Sequence, residues 1–190
     1  LIPMRDFFKN PQRSDYQLSP NGKMVAFLQP VGGRMNLFVS GVNNLQETRQ
    51  LTQVKDRDVD FVGWKGDHTL LFVKDAGGDE NYHVFAVDAA SGGFKDITPL
   101  EPGVRVDLID DLEDISDTDI LVGINKRNRE IFDVYRLNVQ TGDLRLVAEN
   151  PGNFTSWLTD HKGNIRVAMA TDGVNSEFHY RASETGSFKK

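Results

Sequence analysis

Met24-Val25-Ala26-Phe27-Leu28 is a run of five apolar residues, and Ser19-Pro20-Asn21-Gly22 stands just ahead of it. A run this short, bounded by turn residues and apolar on both sides of a pleat, reads as a strand covered on both faces. Three more runs resemble it: LLFV at 70–73, ILVGI at 120–124 and IRVAMA at 165–170. Aligning Phe27, Phe72, Val122 and Val167 gives spacings of 45, 50 and 45 residues. A second series follows each run, Phe38, Phe85, Tyr135 and Tyr180, spaced by 47, 50 and 45. Leu51, Ile97 and Leu146 form a third, spaced by 46 and 49. Three landmark series with one period identify a repeat, and repeats of this length are built from one supersecondary unit each.

Each unit reads as strands. The runs are rich in Val, Ile, Phe, Tyr and Thr and are separated by clusters such as AGGDEN (76–81), SGG (91–93), QTG (140–142) and KGN (162–164). Helical periodicity is absent, apart from a turn predicted at 3–8, where Pro3 suits a helix start. The fold expected is all-β: a β-propeller fragment of about four blades of four antiparallel strands. The blades fall at about 16–52, 59–98, 107–149 and 154–190. Extending the third series from Leu146 puts its next member near 191, one residue past Lys190. The last blade is therefore expected to be incomplete, and an open arc with uncovered blade faces is expected to self-associate.

Composition narrows the function classes. The 190 residues carry 22 Lys and Arg against 28 Asp and Glu, a net charge of −6, which disfavours nucleic-acid and anionic-membrane partners. No apolar run approaches the ~18 residues of a membrane helix. Cys is absent, which excludes disulfides and thiol chemistry but leaves the compartment open. The chain begins Leu1-Ile2-Pro3 rather than with Met. Processing upstream is one source of such a start, and it leans the expectation towards periplasm or secretion.

No catalytic motif stands out. Ser40, Ser91 and Ser187 each have a Gly neighbour but none completes a G-x-S-x-G elbow. There is no H-E-x-x-H, P-loop or G-x-G-x-x-G, and His68, His83, His161 and His179 are scattered. Asp56, Asp58 and Asp60 share the first three ligand positions of a calcium loop, but Phe61 stands where Gly is needed and Asp67 where Glu is needed. The acidic stretch at 107–119 fails likewise, so both read as solvated charge. Asn153-Phe154-Thr155 matches a glycosylation sequon. No metal or other cofactor is implied. The loops expected between the second and third strands of each blade, at 30–35, 74–82, 125–131 and 170–177, are more informative, because equivalent propeller loops emerge on one face. They gather Arg34, Asp79, Glu80, Asn81, Asn125, Lys126, Arg127, Arg129 and Glu130 on one rim, a polar set suited to a peptide terminus or a partner domain.

These blocks carry a resemblance. YQLSPNGKMVAF (16–27) resembles the blade-opening motif of propellers in prolyl oligopeptidase-family serine peptidases and in the periplasmic Tol-system propeller. WKGDHTLLFVKDAGGDENYHVF (64–85) and NKRNREIFDVYR (125–136) resemble the second and third blades of the bacterial dipeptidyl-peptidase and acylaminoacyl-peptidase branch. The resemblance implies a propeller that gates a separate α/β-hydrolase domain carrying Ser, Asp and His, with oligopeptides as substrates and no cofactor. On this reading the chain itself is not catalytic. The resemblance nominates Asp79 and Glu80 as the acidic pair that holds a substrate amine, and the rim reading adds Asn81, Asn125 and Arg127 as further candidate substrate-binding residues. A stand-alone protein-binding propeller of the Tol or WD-repeat kind is the alternative.

Overall fold

The computed structural model describes residues 2–9 and 11–190, with the backbone alone at Phe61 and Val62. After a 3-10 turn at Met4–Phe8 led by Pro3, every regular element is a strand. β1 (Ser14–Leu18), β2 (Met24–Val31), β3 (Arg34–Gly41) and β4 (Asn44–Gln50) form one sheet in sequential order. β5 (Asp60–Lys65), β6 (Thr69–Lys74), β7 (His83–Asp88) and β8 (Phe94–Asp96) form the second. β9 (Val106–Asp110), β10 (Asp119–Asn128), β11 (Ile131–Asn138) and β12 (Leu144–Ala148) form the third, and β13 (Phe154–Thr159), β14 (Ile165–Thr171) and β15 (Ser176–Tyr180) the fourth. Four antiparallel meanders in series, the last with three strands, make a partial β-propeller. Beyond β15, Lys189 bridges Tyr180 at the outer edge of the fourth sheet.

The repeat has a simple structural cause. Phe27 lies opposite Phe38, Val122 opposite Tyr135 and Val167 opposite Tyr180, so the first two landmark series are cross-strand pairs on the second and third strands of each blade. Phe72 and Phe85 complete the set, their rings stacked at 5.1 Å. Such pairs are the unit of sheet stabilisation, which is why their spacing persists while loop residues change. The third series is kept in two blades only. Leu51 and Ile97 are buried, but Leu146 is 49% exposed and lies opposite Tyr135. Ala148, buried opposite Val134, takes the place expected of Leu146, because the register shifts between Val134 and Tyr135, whose side chains point to opposite faces of the sheet.

Two compact units divide the chain: Leu1–Asp79 with Val84–Asp96, and Glu80–His83 with Ile97–Lys190. In the first, Ala26, Leu37, Val39, Leu70, Phe72 and Trp64 share one apolar core. Truncating a buried phenylalanine such as Phe72 there would cost about 3–5 kcal/mol. In the second, Leu112, Leu121, Val134, Ala148 and Ile165 form a smaller cluster bordered by Trp157 and Phe188. Turn chemistry sets the hairpins. Gly32 and Gly33 have φ of 60° and 82°, the two positive values that a tight hairpin between β2 and β3 requires. That turn shortens the loop expected at 30–35 and leaves Arg34 as the first residue of β3.

Candidate functional site

The connection between β6 and β7, residues 75–82, is the longest of the second-to-third-strand loops, since the strands around it end early. Asp75 anchors its start: the side chain is buried and accepts a 3.0 Å hydrogen bond from Arg57 Nε. Gly77 and Gly78 then take φ of 64° and 94°. Asp79 closes the turn. Its carboxylate accepts the Ala76 N–H at 3.2 Å, and its own N–H donates back to the Ala76 carbonyl at 3.3 Å. Asp79, which ends the first segment of the first unit, therefore has its carboxylate already turned onto the backbone of its own turn, though the residue stays exposed.

Glu80 belongs to the second unit and adopts φ of 59°, a left-handed conformation that costs a non-glycine residue about 1 kcal/mol or more. Its side chain is exposed, and its charge acts on Arg105. Hydrogen bonding to Asp107 first, and the nearby Glu80 charge as a lesser cause, raise the Arg105 guanidinium above the ordinary arginine value. Asn81 is half-buried, and the Tyr82 carbonyl beyond it accepts the Val106 N–H at 2.9 Å, tying the loop to the head of β9.

The third-blade residues sit differently from the expectation of a loop at 125–131. β10 runs on through Asn128, and only Arg129 and Glu130 form the turn to β11. Asn125 is buried: its Oδ1 accepts the Arg105 N–H at 2.7 Å and its Nδ2 donates to the Arg129 carbonyl at 2.9 Å. Both ends of the amide are thus engaged by backbone, which holds the hairpin against the strand before it. Arg127 forks onto Asp133, Nε to Oδ2 and Nη2 to Oδ1, both at 2.8 Å, and Nη2 also reaches the Asn150 carbonyl at 2.8 Å. Hydrogen bonding to Asp133 raises the Arg127 guanidinium well above its ordinary value. Burial alone would raise the Asp133 carboxyl, but the Arg127 fork and the Asn150 N–H outweigh it and hold Asp133 below the usual range.

Within the second unit, then, Glu80, Arg105 and Asn125 form one connected set, and Arg127 belongs to a second set with Asp133 and Asn150. Arg105, Asp133 and Asn150 escaped the motif search. Asp133 has a signal: it stands two residues before the landmark Tyr135, a charged residue flanked by Phe132 and Val134. Asp56, Asp58 and Asp60, with calcium-loop spacing, go separate ways: Asp56 to Lys74 at 2.8 Å, Asp58 to the Met35 N–H at 2.8 Å. The Asp60 carboxyl is raised by burial and by Asp15. The Phe61 side chain lies outside the described residues. Among the described residues no three of His, Asp and Glu gather as a metal site would require.

No family model matches the chain. It is 29% identical over 191 residues to dipeptidyl aminopeptidase BIII of Pseudoxanthomonas mexicana, covering 100% of this chain and 27% of that protein. It is 28% identical over 188 residues to dipeptidyl peptidase family member 6 of Caenorhabditis elegans, covering 95% of this chain and 25% of that protein. The chain spans about a quarter of the length of these curated relatives. In fold it is similar to a puromycin-hydrolyzing peptidase of Mycobacterium tuberculosis, with a TM-score of 0.62 and 10% identity over 93% of this chain and 30% of that one. It is also similar to TolB from Acinetobacter baumannii, with a TM-score of 0.57 and 12% identity over 93% of this chain and 42% of that one.

Proposed function

We propose that this chain, a β-propeller segment related in sequence to dipeptidyl peptidases of the prolyl oligopeptidase family, is the non-catalytic gate of a serine peptidase acting on oligopeptides. The observation that carries the reading is the homology over the whole chain to two dipeptidyl peptidases. The likeness to TolB concerns the fold alone, so the stand-alone binding propeller has no sequence relative behind it. Acyl transfer by Ser, His and Asp would then belong to a separate hydrolase domain, and the blades would restrict entry to short, flexible peptides. No cofactor is needed for that chemistry. The partners are that domain and the peptide, and a periplasmic or secreted setting suits the role.

Within this reading Asp79 and Glu80 hold the protonated amine of the substrate. Two features support Glu80 as the stronger of the pair. It is exposed, and it is kept in a left-handed backbone conformation where strain without function would be costly. Asn81 assists at the same loop, whereas Asn125 and Arg127 contribute by fixing the hairpin beside it.

The test uses the full-length peptidase and the variant Glu80→Gln. KM for a free-amine dipeptidyl substrate rises about tenfold, in line with one charge-assisted hydrogen bond. KM for the same substrate with an acetylated amine is unchanged. An equal effect on both substrates removes the amine-holding role.

A further inference from the structure

The second unit contains a groove of about 520 Å³ that the amine-holding loop does not use. Its walls come from β9, from the turn and first residues of β11, and from the connection into β13. Leu108, Ile109, Ile131, Phe132, Phe154 and Trp157 supply the apolar surface. Phe154 and Trp157 meet edge to face, with centroids 5.2 Å apart at 89°. Two carboxylates line the groove, Asp107 and Glu130, and no Lys, Arg or His does. Asp107 is neutralised by Arg105, through two hydrogen bonds of 3.0 Å, and the Arg105 guanidinium lies 5.1 Å from the centre of the Phe132 ring. Glu130 is different. It is exposed at the hairpin tip, its N–H is held by Asn128 Oδ1 at 3.0 Å, and no cation pairs with its carboxylate among the described residues. The neighbouring Arg129 turns away to Glu101 and the Pro102 carbonyl.

We propose that this groove binds an arginine or lysine side chain of an extended peptide. The argument is charge complementarity joined to shape. A trough of this size, with apolar and aromatic side chains among polar ones and one uncompensated carboxylate at its mouth, suits a long methylene stem ending in a cation. The aromatic faces of Phe154 and Trp157 add attraction for a guanidinium passing over them. Edge backbone is also at hand, because β9 is paired with β10 alone and β13 with β14 alone, although the Val106 N–H already donates to the Tyr82 carbonyl and both backbone groups of Phe154 are bonded to Asn150. Each of these edge strands keeps one row of backbone groups that its sheet does not use. The peptide nature of the occupant rests on the function proposed above, while its positive charge rests on Glu130 and the lining.

The experiment is an NMR titration of the 190-residue chain with acetyl-Ala-Arg-Ala-amide and with the same peptide carrying citrulline, the neutral isostere of arginine. Both ends are blocked, so amine holding and catalysis do not enter, and the gate can fail without this site failing. Amide shifts concentrate at 107–109, 130–132 and 152–157, and arginine binds about 3- to 10-fold tighter than citrulline. Glu130→Gln, an exposed turn substitution, brings arginine down to the citrulline affinity, and Glu130→Lys weakens it further. Thr155→Trp, filling the groove from the opposite wall, abolishes both. Equal binding of the two peptides, shifts centred elsewhere, or an unchanged affinity in Glu130→Gln overturns the proposal.

Discussion

Asn36 in the first blade and Asp133 in the third occupy the same place. Each is the third residue of its strand and stands two before the aromatic that pairs with the second strand, and each is buried. Each also holds the connection leaving its blade. Asn36 accepts the Val54 N–H at 2.8 Å and the Thr52 hydroxyl at 3.1 Å, and donates to the Val54 carbonyl at 3.3 Å. Asp133 accepts the Asn150 N–H at 2.8 Å but has no hydrogen to give the Asn150 carbonyl. Arg127 makes that second bond and neutralises the carboxylate at the same time. One neutral side chain does in the first blade what an ion pair does in the third. The same backbone requirement has two chemical solutions, and the second makes a conspicuous arginine structural.

The two tryptophans report on the two latches separately, Trp64 from the first unit and Trp157 from the second. Single-tryptophan variants would follow each unit by urea unfolding. The largest effect expected is from Asn36→Asp. It puts a carboxylate into the buried latch without an Arg127 equivalent, at a cost of about 3–5 kcal/mol at pH 7. Burial raises the folded pKa of such a group above its unfolded value, so the loss is small in acid and grows as pH rises through the unfolded value. Read by Trp64, a loss independent of pH would mean that a cation reaches this position.

Asp133→Asn comes next, at about 1–2 kcal/mol near neutral pH. Here the sign reverses. The folded Asp133 carboxyl lies below its unfolded value, so its contribution is present above about pH 4 and is lost as pH falls through the folded value. Wild type and Asp133→Asn should therefore converge in acid when Trp157 is followed. A difference that persists at low pH would contradict an ionic latch. The smallest effect is that of Arg127→Lys, which keeps the charge but loses the fork. Its stability should fall between wild type and Asp133→Asn, with the acid dependence retained.

The repeat was legible because its landmarks pair across strands, and a pair must be kept or lost together. Leu146 departs from its expected place because a register irregularity beside Tyr135 turns it outward while Ala148 is buried, and spacing alone does not reveal such an irregularity. The rim was less legible. Polar residues at 125–128 read as loop, yet β10 continues through them because Asn125 and Arg127 find partners within the fold. Asp79 was similarly visible as an acid but not as the group that closes its own turn. Glu130 reads as one more rim residue, but its place beside the groove depends on residues 150–157, which come from the next blade.

On the function proposed above, these blades limit what a serine peptidase can cleave. The most direct measurement takes the full-length protein, confirms labelling by a serine-directed fluorophosphonate, and compares kcat/KM for one cleavage sequence in a short peptide and in a long unfolded polypeptide. The expected result is labelling of the full-length protein and none of the 190-residue chain, with a strong preference for the short peptide. Labelling of the 190-residue chain, or equal cleavage of both substrates, would contradict it.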